Sequence, residues 1–351
     1  MSFSGKIRAD VTGQPVRIRQ EEPEMKKFVA LVAALVMVLS MTSAFAAGKV
    51  MLYSSMQEDQ LMAIEKAFEA KYPDIDMEYY YAGGGKVITK MATEAQAGKI
   101  EADLVWLGDP SDYEGFKAAG YLQQYSSPEA DHIAAEYIDP DGYYTAGRLV
   151  TMGIAWATTL VNEEEAPKTW NELLDPKWNG QLIMTDPSQA STTKYWMAAM
   201  MQSEKYGPAF FEALRDNGIE LESGTTATHN VVAAGSYMVG VCLDYVSANL
   251  IAEGSPMAFH YTTEDVITMT SPIGMIANCD NRDNAALLYD FILSKEGQEV
   301  LVANNLVSVR DDVEMKVDTS SIAALNMSVD FNDLAENTSN YLAQFNEIFG
   351  K

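Results

Sequence analysis

Four short polar segments could bind an anion, because each stands where a predicted strand gives way to a predicted helix. The first turn of a helix offers unpaired backbone N–H groups and the positive end of the helix dipole. In open α/β sheets, ligands bind at the carboxyl ends of the strands. The four segments are Ser54-Ser55, Gly83-Gly84-Gly85-Lys86, Ser188 to Lys194 and Ser223 to His229.

The charges of the four segments differ. Ser55 and Glu58 have the spacing of a capping box, and Glu58 would weaken an anion bound there. The other three segments contain no acidic residue, and two of them contain Lys86 or Lys194. Ser and Thr are also ordinary N-cap residues, so helix capping is the competing interpretation. The expected ligand-binding residues in these segments are Ser54, Ser55, Gly84, Gly85, Lys86, Ser191, Thr192, Thr193, Thr225 and Thr226.

Four more residues follow or lie in predicted strands and could line the same cleft. Asp109 and Thr158 are two of them. Asp244 and Tyr245 end a predicted strand, where they could contact a ligand at the mouth of the cleft. A capping aspartate followed by a packed tyrosine is the competing interpretation of that pair.

Catalytic patterns are scarce in this sequence. The chain has three histidines, His132, His229 and His260, and none falls in an HExxH or HxH arrangement. It contains no GxSxG elbow, Walker loop or GxGxxG fingerprint. We therefore expect a binding protein that needs no cofactor, and an exported α/β hydrolase is the weaker alternative.

Composition excludes several classes of protein. The 351 residues carry 24 Lys and Arg against 50 Asp and Glu, a formal charge of −26. Nucleic acid and anionic lipid both require a basic surface, so neither is an expected partner. The apolar fraction of 48% is too high for a disordered chain. Cys242 and Cys279 are expected to be buried thiols.

The N-terminus resembles a secretory signal peptide. Met25-Lys26-Lys27 is basic, Phe28 to Met41 is almost wholly apolar, and Ala44-Phe45-Ala46 is a small-x-small cleavage signal. We expect residues 25–46 to be removed on export to the periplasm. Residues 1–24 are interpreted as a non-native or mis-assigned extension.

The rest of the chain alternates predicted strands with predicted helices, which favours an α/β fold with a largely parallel sheet. Two long apolar stretches, 149–160 and 269–277, bracket the middle of the chain. The simplest topology lets them cross between two lobes, lobe one at 47–150 plus 275–351 and lobe two at 151–274. The stretch 163–180, with two tryptophans, is predicted to be an ordered surface loop.

The segment from Pro167 to Gly180 contains a TWxxLLDPKWxG block that resembles family 1 solute-binding proteins of bacterial ABC importers, and in particular their ferric-iron-binding branch. Residues 50–55, 102–109, 290–298 and 307–310 are similar to the same family. The resemblance implies a two-lobed periplasmic binding fold of type II, closing by hinge motion at the crossovers. It also implies that the protein docks on a membrane permease and catalyses no reaction.

The resemblance leaves two ligand classes open. The ferric-binding branch uses adjacent tyrosines, and phenolate oxygens suit a hard cation. The corresponding place here is Asp244-Tyr245-Val246, so Tyr245 alone would serve as a metal ligand if iron were bound. Segments 223–229 and 82–86 are similar to relatives that bind phosphorylated sugars or phosphonates. We therefore favour a small oxyanion-bearing solute over ferric iron, bound by a monomer.

Overall fold

The computed structural model describes residues 48–351. The predicted signal peptide at 25–46 and the extension at 1–24 lie outside the described residues. The strands are β1 (Gly48–Ser54), β2 (Ile75–Tyr81), β3 (Leu104–Trp106), β4 (Leu122–Gln123), β5 (Tyr144–Ala157), β6 (Leu182–Thr185), β7 (Glu220–Glu222), β8 (Val239–Leu243), β9 (Met257–His260) and β10 (Ile267–Ile276).

All ten strands belong to one sheet, in which parallel groups flank an antiparallel centre. β1 pairs in parallel with β2 and β3 at one end, and β6 pairs in parallel with β7 and β8 at the other. Between them β5 and β10 run antiparallel along most of their length. The sheet is therefore mixed rather than largely parallel, because two long strands, and not helices, join the two groups.

Eleven α-helices cover the sheet in this part of the chain. They are α1 (Glu58–Lys71), α2 (Gly84–Gln96), α3 (Ser111–Ala118), α4 (Ser191–Gln202), α5 (Gly207–Asp216), α6 (Thr225–Ala233), α7 (Asp244–Ala252), α8 (Arg282–Leu293), α9 (Lys295–Ala303), α10 (Thr319–Ala324) and α11 (Phe331–Ile348).

The interpretation of 163–180 as a surface loop is wrong in one respect. Two short 3-10 helices form there, at Asn171–Leu174 and Pro176–Trp178. Trp170 and Trp178 are buried, and the Trp170 ring lies 5.3 Å from that of Trp196 in α4. The tryptophans therefore anchor the segment in the core.

The C-terminal helix α11 packs against α4 and α5 as well as against α3. Phe345 of α11 stacks edge-on against Phe211 of α5, with ring centroids 5.5 Å apart. Arg215 of α5 donates to the carbonyl of Ile348 at 3.2 Å. The end of the chain thus lies on helices of the 151–274 segment.

Cys242 is buried and Cys279 half-buried, and both are free thiols. Burial raises the pKa of Cys279 to about 11. Within residues 48–351, no helix combines the length and the apolar character that crossing a bilayer requires.

Candidate ligand-binding cleft

Three helix N-termini meet at a cavity of about 300 Å³. They belong to α2, α4 and α6, which come from three of the four segments singled out in the sequence. The end of β1 and the middle of β5 complete the wall. The cavity is lined by Ser55, Gln57, Tyr81, Ala82, Gly83, Gly84, Lys86, Arg148, Gln189, Ala190, Ser191, Thr192, Ser223, Gly224, Thr225, Thr226, Ala227, Leu243 and Tyr245.

The first turns of these three helices carry no acidic residue and no side-chain cap. Their N-cap positions are Gly83, Ala190 and Gly224, so Ser191 and Thr225 stand inside the first turn rather than at the cap. The capping interpretation therefore fails for α2, α4 and α6. Their first-turn N–H groups and positive dipole ends border the cavity without a carboxylate to satisfy them.

Arg148, a residue that the sequence reading missed, supplies the main charge of the wall. It lies on β5, is 2% exposed, and its Nε donates to Ser271 Oγ at 3.3 Å. Its guanidinium lies 5.1 Å from the ring centroid of Tyr245 and 5.7 Å from that of Trp106. Nη1 is buried and finds no hydrogen-bond partner among residues 48–351. An unpaired buried guanidinium is costly unless an anion completes it.

A sequence signal for Arg148 existed. It is the only charged residue between 144 and 162, in the stretch that becomes the central strand β5. Charged side chains are almost never fully buried unless they are paired. The apolar stretch predicted as a crossover, 149–160, begins one residue after Arg148.

Two further wall residues complete the polar lining. Ser191 Oγ is buried and, like Arg148 Nη1, lacks a hydrogen-bond partner within the described chain. Tyr245 is 2% exposed, and burial raises the pKa of its phenol while Arg148 opposes that shift. The phenol therefore stays protonated at neutral pH and can donate to a bound oxygen atom.

Gln57, also missed in the sequence, closes the rim of the cavity. Its Oε1 accepts from Tyr81 Oη at 3.2 Å and from Thr226 Oγ1 at 2.7 Å. Tyr81 ends β2 and Thr226 is the second residue of α6, so one amide connects this strand and this helix across the opening.

His229 fixes the position of α6 rather than contacting the cavity. The Leu243 N–H donates to His229 Nε2 at 2.9 Å, so the proton sits on Nδ1, which donates to the Thr225 carbonyl at 2.7 Å. Burial lowers the pKa of His229 to about 4, although the hydrogen bond to the Thr225 carbonyl opposes that shift. The imidazole is therefore neutral and ties the first turn of α6 to the end of β8.

Eight of the expected binding residues line the cavity, namely Ser55, Gly84, Lys86, Ser191, Thr192, Thr225, Thr226 and Tyr245. Ser55 does so without forming the predicted capping box, because α1 begins at Glu58 after Gln57 and has no side-chain cap.

Six expected residues lie outside the wall. Ser54 turns inward, where its hydroxyl donates to the Trp106 carbonyl at 2.8 Å. Gly85 packs against the Ser188 carbonyl instead. Thr158 is exposed beyond the end of β5. Thr193 is buried in the first turn of α4, away from the cavity.

The two expected aspartates also point elsewhere. Asp109 accepts from the backbone and hydroxyl of Ser111 and faces Lys194. Lys194, which the sequence offered as a charge for an anion, is therefore already paired. Asp244 is buried at the start of α7, where it accepts from its neighbour's N–H, and burial raises its pKa to about 7.

A larger cavity of about 1180 Å³ lies on another face of β5 and β10, among residues 131–140 and 307–331. Its wall contains several carboxylates, among them Asp131, Glu136 and Asp139, and its arginine, Arg310, is already paired with Glu129 at 2.9 Å and Asp312 at 2.7 Å. His132, Asp311 and Asp312 cluster there on the surface. The smaller cavity is the stronger candidate, because Arg148 Nη1 and Ser191 Oγ in its wall have no hydrogen-bond partner within residues 48–351.

Comparison with known proteins identifies the family. A family model for bacterial extracellular solute-binding proteins matches residues 101–337. An uncharacterized Haemophilus influenzae protein is 30% identical over 271 residues, which cover 74% of this chain and 76% of the relative. The chain belongs to the bacterial extracellular solute-binding protein family.

Other relatives are named for phosphorus compounds. The phosphoglycerate transport regulatory protein PgtC of Salmonella typhimurium is 24% identical, covering 40% of this chain and 35% of its own length. A putative 2-aminoethylphosphonate-binding periplasmic protein of the same organism is 23% identical, covering 65% and 67%.

Solved structures share the fold. AfuA of Actinobacillus pleuropneumoniae, with fructose-6-phosphate bound, superposes with a TM-score of 0.79 at 23% identity, covering 87% of this chain and 99% of AfuA. Iron-bound HitA of Pseudomonas aeruginosa gives 0.75 at 18% identity, covering 86% and 99%. The fold is the two-lobed periplasmic binding fold expected from the sequence. The protein is the solute-binding component of an ABC importer and not an enzyme.

Proposed function

We propose that the cleft captures a small solute bearing a phosphate or phosphonate group. The observation that carries this is Arg148, a buried guanidinium with an unpartnered Nη1 in the cavity wall. Charge-assisted bonds from a guanidinium to phosphate oxygens are among the strongest in proteins. The three helix N-termini add backbone donors aimed at the same space.

The rest of the wall selects for hydroxyl groups over ammonium groups. Among the described residues that line the cavity, none is Asp or Glu, and two are cationic, Lys86 and Arg148. An ammonium group on the ligand would find no carboxylate there to balance it. Gln57, Gln189 and several hydroxyls offer partners for the hydroxyls of a sugar or glycerol phosphate. Relatives named for phosphoglycerate and a neighbour with bound fructose-6-phosphate support this class.

Thermal unfolding with a panel of compounds tests the proposal, since a ligand bound only to the native state raises stability by about 2.7 kcal/mol at 100 times its Kd. Fructose 6-phosphate and 3-phosphoglycerate should raise the Tm, and fructose should leave it unchanged. Ethylphosphonate should stabilise more than 2-aminoethylphosphonate. Stabilisation by fructose equal to that by fructose 6-phosphate would contradict a phosphate site.

Ferric iron is the second candidate, because two phenols, Tyr81 and Tyr245, line the cavity. Phenolate suits a hard cation, but the guanidinium beside Tyr245 repels one. Ferric citrate should therefore give no shift in Tm. If it stabilises the protein and Tyr245→Phe removes the effect, iron replaces phosphate as the ligand.

The lobe boundaries remain our proposal, with lobe one at 47–150 plus 275–351 and lobe two at 151–274. The packing of α11 on α4 and α5 supports moving 331–348 to lobe two. We also propose a monomer without nucleic-acid partners, exported to the periplasm after cleavage before Ala47. The mass of the exported chain tests the cleavage site. The mass of the particle in solution, measured by scattering, tests whether the protein is a monomer.

A further inference from the structure

Lys194 lies outside the cavity wall and joins residues from opposite lobes. Its Nζ is 3.1 Å from Asp109 Oδ2 and also contacts an oxygen of Asp112. Asp109 and Asp112 follow β3 in lobe one, whereas Lys194 is in the first turn of α4 in lobe two. The side chains are 13% exposed for Lys194, 0% for Asp109 and 12% for Asp112.

Asp109, Asp112 and Lys194 form a buried cluster of two carboxylates and one ammonium. Asp109 Oδ1 accepts from the Ser111 N–H at 2.9 Å and its hydroxyl at 2.6 Å. Oδ2 of Asp109 contacts Lys194 as an ion pair without hydrogen-bond alignment, and Asp112 Oδ2 is buried without a hydrogen bond in the described chain. Burial and the nearby Asp109 raise the pKa of Asp112. The ammonium of Lys194 therefore offsets the repulsion between the two buried carboxylates.

The backbones beside the cluster approach closely from the two lobes. A Cβ on Gly84 would lie 1.7 Å from Ser191 Oγ, and one on Gly108 would lie 2.5 Å from Thr192 Cγ2. Contacts this short leave no room for a side chain. The start of α4 is thus the surface against which lobe one rests.

We propose that Lys194 is a closure residue, which clamps Asp109 and Asp112 of the opposite lobe and so strengthens ligand binding without touching the ligand. The inference relies on the lobe boundaries of the proposed function and not on the ligand. Without the ammonium, two buried carboxylates would face each other unpaired, at a high cost in free energy. Opening of the cleft relieves that cost because water then solvates both groups.

Small-angle scattering of the exported protein, with no ligand added, tests the clamp. Lys194→Met should raise the radius of gyration relative to wild type. Lys205→Met is the matched control, because Lys205 also meets two carboxylates, Glu264 at 3.0 Å and Asp265 at 2.6 Å, all within lobe two. The control should scatter like wild type, and so should Lys194→Arg, which keeps the charge.

A second variant removes one of the two carboxylates instead of the ammonium. Asp112→Asn leaves the Lys194–Asp109 pair and removes the surplus negative charge, so the protein should stay as compact as wild type. With inorganic phosphate as the probe, Lys194→Met should weaken binding about 10-fold, mainly through faster dissociation, and Lys205→Met should not.

Scattering by Lys194→Met that matches wild type would overturn the proposal, as would equal opening in Lys205→Met. A Lys194→Met chain that does not fold would also overturn it, since the cluster would then serve folding and not closure. If wild type binds no phosphate compound, the proposed ligand is wrong, but the ligand-free scattering still decides the role of Lys194.

Discussion

Two cationic side chains near the cleft have opposite surroundings. Lys194 forms ion pairs with Asp109 and Asp112, which lie across the contact between the proposed lobes. Arg148 meets aromatic rings and a serine hydroxyl; it lies near the buried Asp244 but forms no ion pair with it, and Nη1 has no hydrogen-bond partner among the described residues. In a protein of formal charge −26, the partners of a cation therefore decide whether it can bind a ligand.

The comparison also explains how an acidic protein can bind an anion. Surface carboxylates are solvated and screened over about 8–10 Å in physiological salt. Inside the cavity the described wall holds Lys86, Arg148 and three helix N-termini without a carboxylate. Local geometry, rather than the total charge, sets the potential that a small enclosed solute experiences.

Replacing Arg148 should have the largest effect. Arg148→Met removes at least two charge-assisted hydrogen bonds to the ligand, each worth about 1.5–3 kcal/mol. We expect the affinity for the stabilising phosphate ester to fall more than 100-fold by calorimetry. The ligand-free variant should unfold within a few degrees of wild type, because Nη1 has no hydrogen bond to lose but the buried Asp244 loses a nearby positive charge.

Arg215→Met is the control for that experiment. Arg215 is exposed on α5 and should not change the affinity. If Arg148→Met binds as tightly as wild type, the contrast between Arg148 and Lys194 disappears, and the ligand occupies another place.

A third group beside the cavity, His229, would become cationic if it could be protonated. Its pKa is about 4 in the folded protein against 6.5 in a model peptide, so the unfolded chain binds the proton first. Its contribution to stability is present above pH 6.5 and falls as the pH drops towards 4, by up to about 1.4 kcal/mol per pH unit. Urea unfolding across pH 4–7 measures it.

The difference between wild type and His229→Gln isolates this group from the many carboxylates that titrate in the same range. The difference should shrink as the pH falls from 7 to 4. A pH-independent difference for His229→Gln would mean that the imidazole binds its proton equally well in the folded and unfolded chains.

Much of the fold was predictable because strands and helices each carry their own periodicity. The helix starts of α2, α4 and α6 were predictable from Gly, Ser and Thr after apolar runs. The direction of β5 and β10 was not, since apolar content shows a buried strand but not which neighbours it pairs with. Likewise Trp170 and Trp178 looked like loop residues, because nothing local shows that they meet α4.

The site was predictable only where backbone geometry forms it. Thr225 and Ser191 were found from their place in a helix start, a local property. Arg148 and Gln57 were missed because their roles depend on strands and helices far along the chain. Lys194 was misjudged for the same reason, since the carboxylates that pair with it precede it by 82 or more residues.

A carboxylate placed in the wall should weaken binding by an intermediate amount. Thr225 lies at the first position of α6 in the cavity wall. Thr225→Asp should reduce the affinity for a phosphate ester about 10- to 30-fold through repulsion, as expected for charges at an effective dielectric constant near 20. Thr225→Asn has nearly the same shape without the charge and should cost less than about 3-fold. Equal losses in the two variants would show that shape, and not charge, governs the wall.

Lys86 should matter least, because it is the exposed cation of the wall. Its ammonium reaches the cavity rim from the first turn of α2, where water and salt screen it. Lys86→Gln should weaken binding about 3- to 5-fold in low salt and hardly at all in 0.5 M salt. Lys90→Gln is the matched control one turn along α2, since Lys90 pairs with Glu94 at 2.6 Å and should leave the affinity unchanged. A loss at Lys86 as large as that at Arg148 would mean that exposure does not separate the two cations, and that the anion binds at the rim rather than against β5.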